Sequence, residues 1–336
     1  MSRPTLEDVA RAAGVSRATV SRVVNNAPGA SGSLRARVLA AVAELGYEPN
    51  QAARALASGR QGAVDVVAIT NGRDDGWLGG HPYFGRVLAG VMSELQDVDV
   101  HVRLHGVGVA GAAEALDAIA ANTTVGAVLT NAPPALASRF YERCPRVVSL
   151  VATAPPVPAV EADNVGGTFA AVEHLHRLGR RRIAAIHGPS GNTCAIDRRA
   201  GHRRAVRELG LADLSASGEF RRGDGYRAAA QLLDEHADVD ALFVACDLMA
   251  AGAIQAITAA GRRIPEDVSI VGFDDSVAAV CTNPALTTMR MPVEEMAAAA
   301  TTLLMHGDVP TGLRRLFPVQ LIQRESTDAA GVQTAG

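Results

Sequence analysis

The chain has 336 residues, 48% of them hydrophobic and 20% charged, a balance that fills buried cores and excludes a disordered polyelectrolyte. No stretch approaches the roughly 20 apolar residues of a membrane span. The opening MSRPTLEDVARAAG has no apolar secretion segment, so a cytoplasmic protein without a membrane partner is expected. Cys144, Cys194, Cys246 and Cys281 are far apart and form no CxxC pair, which indicates neither a disulfide framework nor a zinc site.

The formal net charge of −3 hides an asymmetry. Residues 1–60 hold eight arginines against four carboxylates, so the head is basic and the remainder acidic. That is the distribution expected when one end meets phosphate. Histidines aside, all the basic side chains are arginine; there is no lysine.

Leu6, Val9, Ala10 and Ala13 recur at helical spacing, with Thr5 before them and Asp8 three residues on as a capping box. Gly14 supplies a turn, and Ser16 caps a second helix whose Val20, Val23 and Val24 point inward. Arg17, Ala18, Ser21, Arg22 and Asn25 fall on the opposite face. A third helix carries Leu34, Val38, Val42 and Leu45, and Gly46 ends it. Two short helices joined through a glycine, the second polar and arginine-bearing, suit the major groove of DNA. Arg22 is placed for a bidentate contact to guanine, Arg17 and Ala18 for base discrimination, Ser16 and Thr19 for phosphate. Thr5 joins this candidate set. The alternative is a generic three-helix domain with a solvated charged face.

Pro49-Asn50 leads into QAARALASGRQ, an isolated alanine-rich stretch too short for a stable helix in water. Residues 50–58 are expected to order on DNA, paired with the same segment of a second subunit, with Asn50 and Ala53 among the contacts. Leu56, its one large apolar side chain, reads as a wedge for a minor-groove base step, or else packs on its own domain.

TLEDVARAAGVSRATVSRVVNN followed by ELGYEPNQAARALASGR resembles the head and hinge of the LacI family of repressors. The resemblance implies base contacts from Arg17, Ala18 and Arg22 and insertion of Leu56. In APGASGSLRARV this sequence departs from the family pattern: Ala30 replaces a valine and Leu34 a threonine.

From residue 63 short apolar runs alternate with helical stretches. Candidate strands are 64–70, 98–104, 126–130, 146–150, 181–187, 241–245 and 268–273. Helices are predicted from Phe84 to Leu95, Asn164 to Leu178, Arg198 to Leu209 and Asp247 to Ala260. Repeated βαβ units with nearly all-apolar strands predict parallel sheets covered on both faces, in two Rossmann-like lobes with ligand between them. EADNVGGTFAAVEHLHRLG, RRIPEDVSIVGFDDS and PALTTMRMPVEEM extend the resemblance, and VQLIQREST matches the family's final strand. It implies a small all-α helix-turn-helix domain followed by a two-lobed α/β domain like the periplasmic sugar-binding proteins. The expected divisions are 1–49 for the DNA-binding head, 50–60 for the hinge and 61–330 for the effector and dimerisation domain. The first lobe would take 61–162 and 291–322, the second 163–290 and 323–330, with crossovers near 161–164, 288–292 and 320–324.

Polyols call for planar charged groups that grip adjacent hydroxyls and for an aromatic face. Arg198, in the family's Arg-x-x-Gly motif, and Asp274, ending the strand VSIVGF, are the leading candidates. Phe220 is a candidate for stacking, and Tyr83 and Phe84 face the cleft from the other lobe. Asp247 and Asp163 are candidates too, each balanced by a role as helix cap or crossover ion pair. Cys246 stands where the family has an amide or hydroxyl, and His202 reads as packing. The 71–82 loop, with Trp77, is either a lid or a surface excursion.

Residues 106–111 spell GxGxxG, but the next strand ends Leu129-Thr130-Asn131 with no carboxylate, so the glycines read as a turn and not a dinucleotide site. No GxSxG or metal-ligand histidine spacing supports an enzyme, and no cofactor is expected. A sugar-transport binding protein would share the body but has no use for the head. The expectation is a homodimeric repressor on pseudo-palindromic operator DNA, controlled by a small molecule, most naturally a sugar. A purine or nucleoside effector, or none, is the alternative. STDAAGVQTAG carries no leucine heptads for a coiled-coil tetramer.

Overall fold

The computed structural model describes residues 5–24, 31–45, 62–70, 80–307 and 309–327. The head consists of α1 (Leu6–Ala13), α2 (Arg17–Val24) and α3 (Gly32–Leu45). Thr5 and Asp8 close the capping box: the Asp8 amide donates to Thr5 Oγ1 at 3.3 Å and the Thr5 amide to Asp8 Oδ2 at 2.9 Å. Gly14 ends α1 at φ +60°, a left-handed conformation that favours glycine. The Thr19 amide donates to Ser16 Oγ at 3.2 Å, capping α2. Val9, Ala13, Val20, Val23 and Val38 form the small core. Leu45, expected in that core, is exposed, and Ala41 is buried in its stead. Arg37 ties α3 to the turn by donating to the Ala13 carbonyl at 2.7 Å.

The body holds two six-stranded sheets. The first comprises β1 (Gly62–Thr70), β2 (Val100–Gly108), β3 (Gly126–Thr130), β4 (Val147–Ser149), β5 (Ala159–Ala162) and β11 (Arg314–Phe317), in the order β11-β5-β4-β3-β1-β2 and all parallel. The second comprises β6 (Ile183–His187), β7 (Leu214–Ser217), β8 (Ala241–Val244), β9 (Ser269–Asp274), β10 (Thr287–Arg290) and β12 (Gln320–Ile322), in the order β12-β10-β9-β8-β6-β7. Its edge strand β12 runs antiparallel to β10.

The helices that follow the strands are α4 (Pro82–Ser93), α5 (Ala112–Asn122), α6 (Pro134–Arg143) and α7 (Asn164–Arg177). In the second half come α8 (Thr193–Leu209), α9 (Arg222–Glu235), α10 (Asp247–Ala259), the short α11 (Val277–Cys281) and α12 (Val293–His306). The strands β3, β6 and β8, apolar but for the terminal Thr130 and His187, are fully buried, as strands covered on both faces must be. Each buried large side chain here, such as Phe243 or Phe273, contributes about 1.5–3 kcal/mol. Asp65 interrupts the apolar run of β1 without exposure, because Arg103 and His105 on β2 cover it at 2.8 and 2.7 Å.

The structure corrects several expectations. β12 belongs to the second sheet, so the last crossover falls at residues 318–319, and the first lobe's final segment stops short of 322. The strand expected to end at 104 runs to Gly108. Gly106 and Gly108 therefore lie in β2, and only Gly111, at φ +77°, makes the turn into α5. α8 begins at Thr193, a full turn earlier than Arg198. β5, β7, β10 and β11 were not among the candidate strands. They are four residues each, and β7 and β11 are largely exposed, so neither carries an apolar run.

Candidate functional site

The body's strands deliver their C-terminal ends to one cavity of about 560 Å³ between the two sheets. Thr70 and Asn131 reach it from the ends of β1 and β3, and Phe220, Cys246 and Asp274 from the ends of β7, β8 and β9. Tyr83 and Phe84 close it from the first turn of α4. This is the position where open parallel sheets bind ligands.

Arg198 lies at its floor, only 2% exposed. Its Nε donates to Asn164 Oδ1 at 2.8 Å, one Nη donates to the Ala245 carbonyl, and the other stands 3.3 Å from Asp274 Oδ1. The guanidinium also sits 3.8 Å from the centre of the Phe273 ring. Burial pushes the Asp274 carboxyl upward, and the Arg198 charge opposes that shift. A pre-positioned, desolvated guanidinium–carboxylate pair presents parallel donors and acceptors to vicinal hydroxyls.

Aromatic groups line the opposite wall. His81 lies with ring centroids 6.2 Å from Phe84 and 6.5 Å from Phe220, edge to face in both cases. His81 Nδ1 caps α4 by accepting from the Tyr83 amide at 3.2 Å, and burial holds its pKa below the usual histidine value. Asn131, Phe220 and Asp274 carry positive φ angles of 55°, 61° and 115°, and all three line the cavity. Backbone strain of this kind is retained where the surrounding structure holds side chains in place for a ligand.

Of the expected effector residues, Tyr83, Phe84, Arg198, Phe220 and Asp274 come together here. Asp163 and Asp247 do not line the cavity, and the structural roles prevail for both. Asp163 caps α7, accepting from the Gly166 amide at 2.8 Å. Asp247 is wholly buried in the first turn of α10, accepting from the Ser276 amide at 2.7 Å and from Thr288 Oγ1 at 2.6 Å. Burial and the nearby Asp274 charge push its pKa up to about 7. Cys246 lines the cavity and caps α10 through Sγ, 3.4 Å from the Met249 amide. His202 is buried. Asn131, Asn164, Asn192, Glu219 and Arg221, not among the expected effector residues, also line the cavity. The rule that ligands meet strand C-termini would have flagged Asn131, one residue beyond β3.

On the head, Arg17, Ala18 and Arg22 are exposed along α2. Thr19 and Ser21 are half-buried, and Ser16 Oγ lies 2.9 Å from Thr19 Oγ1. Thr5 Oγ1 is engaged with Asp8 Oδ2 at 2.7 Å. Arg17 is 4.0 Å from Glu7, a weak surface contact that leaves its guanidinium available. Asn25, Asn50, Ala53, Leu56 and Trp77 lie outside the described residues. Among the described residues, no helix is long and apolar enough to cross a membrane.

Residues 5–50 match the family of bacterial regulatory proteins of the lacI type, and residues 172–327 match a periplasmic binding protein-like domain. The chain is 36% identical to the HTH-type transcriptional regulator CelR of Thermobifida fusca, over 96% of this chain and 98% of that one. It is 33% identical to the lactose operon repressor of Escherichia coli K12, over 100% of this chain and 94% of that one. Among solved structures, a CelR–cellobiose complex superimposes with a TM-score of 0.72 at 32% identity, covering 96% of this chain and 100% of that one. The lac repressor dimer bound to operator and an anti-inducer superimposes with a TM-score of 0.71 at 29% identity, covering 97% and 99%. With the helix-turn-helix head, the two-lobed body and the cavity between its sheets, these matches establish that the chain belongs to the LacI family of DNA-binding transcriptional regulators.

Proposed function

We propose that this chain is a homodimeric repressor whose grip on a pseudo-palindromic operator is set by a sugar bound between its lobes. The observation that carries the sugar assignment is the Arg198–Asp274 pair, desolvated at the floor of a cavity whose other wall is aromatic. Such a pair selects for neighbouring hydroxyls, and the rings for the apolar face of a pyranose. The relatives include a cellobiose-bound regulator and repressors named for lactose and ribose operons. A volume of about 560 Å³ admits a disaccharide. In this reading the ligand closes the lobes and shifts the population between DNA-competent and incompetent dimers in the cytoplasm, without catalysing a reaction.

The test starts from duplexes selected from a random pool by the full-length protein. Release of the selected duplex is then titrated with cellobiose, lactose and ribose, and with adenosine as the purine arm. A sugar that releases DNA from the wild type and not from Arg198→Ala supports the proposal. Release by adenosine alone, or by no sugar, overturns the sugar assignment, and failure to select any duplex overturns the operator reading.

A further inference from the structure

A second concavity, of about 440 Å³, runs along α8 and shares Pro189 with the wall of the inter-lobe cavity. Its walls are Pro189 and Ser190 from the turn after β6, and Ile196, Arg199, Arg203 and Arg207 from α8. Positions 199, 203 and 207 are spaced four apart, so the three guanidiniums stack along one helix face. Like charges at this spacing repel one another. Yet among the described residues Arg203 and Arg207 make no ion pair or side-chain hydrogen bond, although both are exposed. Arg199 donates only to the neutral Ser217 hydroxyl, at 3.0 Å.

Other arginines of the body are mixed: some hold carboxylates, while Arg222 donates to the neutral Gln255 side chain and Arg315 overlies the Phe317 ring. On the same helix Arg204 is paired with Glu208 at 2.8 Å, and Arg86, Arg139 and Arg182 each hold a carboxylate. Three uncompensated cations on an otherwise acidic body, converging on one groove, form a surface whose missing partner is an anion. Ile196, 51% exposed, and Pro189 supply an apolar wall beside them.

The geometry points to a binding site for a small phosphate monoester, with the dianionic head on Arg203 and Arg207 and the carbon body against Ile196 and Pro189. This would give the regulator a second metabolite input, chemically distinct from the neutral polyol of the inter-lobe cavity. It does not rest on the identity of the sugar.

Calorimetry on the full chain at low ionic strength, with ribose 5-phosphate, AMP, ribose and inorganic phosphate as probes, tests the assignment. One or both monoesters should bind, and ribose should not compete with them. Arg203→Ala with Arg207→Ala should weaken that binding by about tenfold per arginine, the loss expected for one charge-assisted contact each. Phe84→Ala, in the sugar cavity, should leave it unchanged. Equal affinity in wild type and the arginine double variant overturns the site. So does loss in Phe84→Ala with retention in the double variant. Inorganic phosphate binding as tightly as both monoesters overturns the apolar half of the site.

Discussion

Arg86 donates to the main-chain carbonyl of Asp274 at 2.7 Å, joining the first helix of one lobe to the last residue of β9 in the other. The same guanidinium donates to the Met291 carbonyl at 2.9 Å and holds both oxygens of Glu294 at 2.7 Å. Asp274 therefore has its side chain on Arg198 in the cavity and its backbone on α4. A ligand that moves the carboxylate also pulls on the first lobe. Arg86→Met keeps the aliphatic stem and removes the bridge, at about 1–3 kcal/mol for the groups left unpaired. In this variant ligand binding by calorimetry should persist, while ligand-induced release of DNA should be blunted. Release identical to wild type at equal ligand occupancy would remove Arg86 from the coupling.

Asp247 predicts a pH dependence of stability. Its carboxyl is raised from 3.8 to about 7 in the folded state by burial and by the Asp274 charge. The folded chain thus holds a proton that the unfolded chain gives up near pH 4. The associated stability is fully present below pH 4 and is lost as pH rises through about 7. On this account the melting temperature falls between about pH 4 and pH 7 and levels off above it. Asp247→Asn loses one acceptor for Thr288 or Ser276, costing about 1–3 kcal/mol at low pH, but should flatten the decline. Parallel melting curves against pH for wild type and variant would show that another group controls the slope.

The division between what was legible and what was not follows burial. Strands buried on both faces, such as 126–130 and 241–245, announce themselves as apolar runs. β11, reading RRLF with three exposed residues, is a strand only because β5 lies beside it, and no local pattern encodes that neighbour. The same holds at the cavity. Asp274 stood out because a charge that ends an apolar strand needs a reason, and Arg198 because it falls in the Arg-x-x-Gly motif of the resemblance. Asn131 and Asn192 are ordinary loop residues until the chain ends of two sheets are brought together. Asp247, a candidate with a helix-cap or ion-pair role as its alternative, sits in the first turn of α10, and only the Ser276 amide and Thr288 hydroxyl, 29 and 41 residues away, show that its carboxylate is already engaged.

On the head, Arg22 is exposed on α2 beside the buried Val23, which anchors the helix against α1 and α3. Loss of a bidentate contact to guanine costs about 1–3 kcal/mol of discrimination. Arg22→Ala should therefore weaken binding to the selected duplex by about tenfold to a hundredfold, with little change for random competitor DNA. Fluorescence anisotropy at fixed ionic strength measures both. An equal loss on specific and random duplexes would reassign Arg22 to the phosphate backbone.

The interface of α9 and α10 depends on the absence of a side chain at residue 252. A Cβ on Gly252 would run into the Arg222 carbonyl oxygen and stand 2.9 Å from the Tyr226 amide nitrogen. Both atoms are backbone, so neither can swing away, and the helices would have to separate. Gly252→Ala should cost about 1–3 kcal/mol as an overpacking change, even though alanine is the better helix former by about 1 kcal/mol. Gly32, in α3, has nothing within 4 Å of the same added carbon. There the propensity gain stands unopposed, and Gly32→Ala should leave the head as stable or more so. Thermal melts of the two variants separate steric from conformational effects. A Gly252→Ala protein that melts at or above the wild-type temperature would mean that α9 and α10 are not packed this closely.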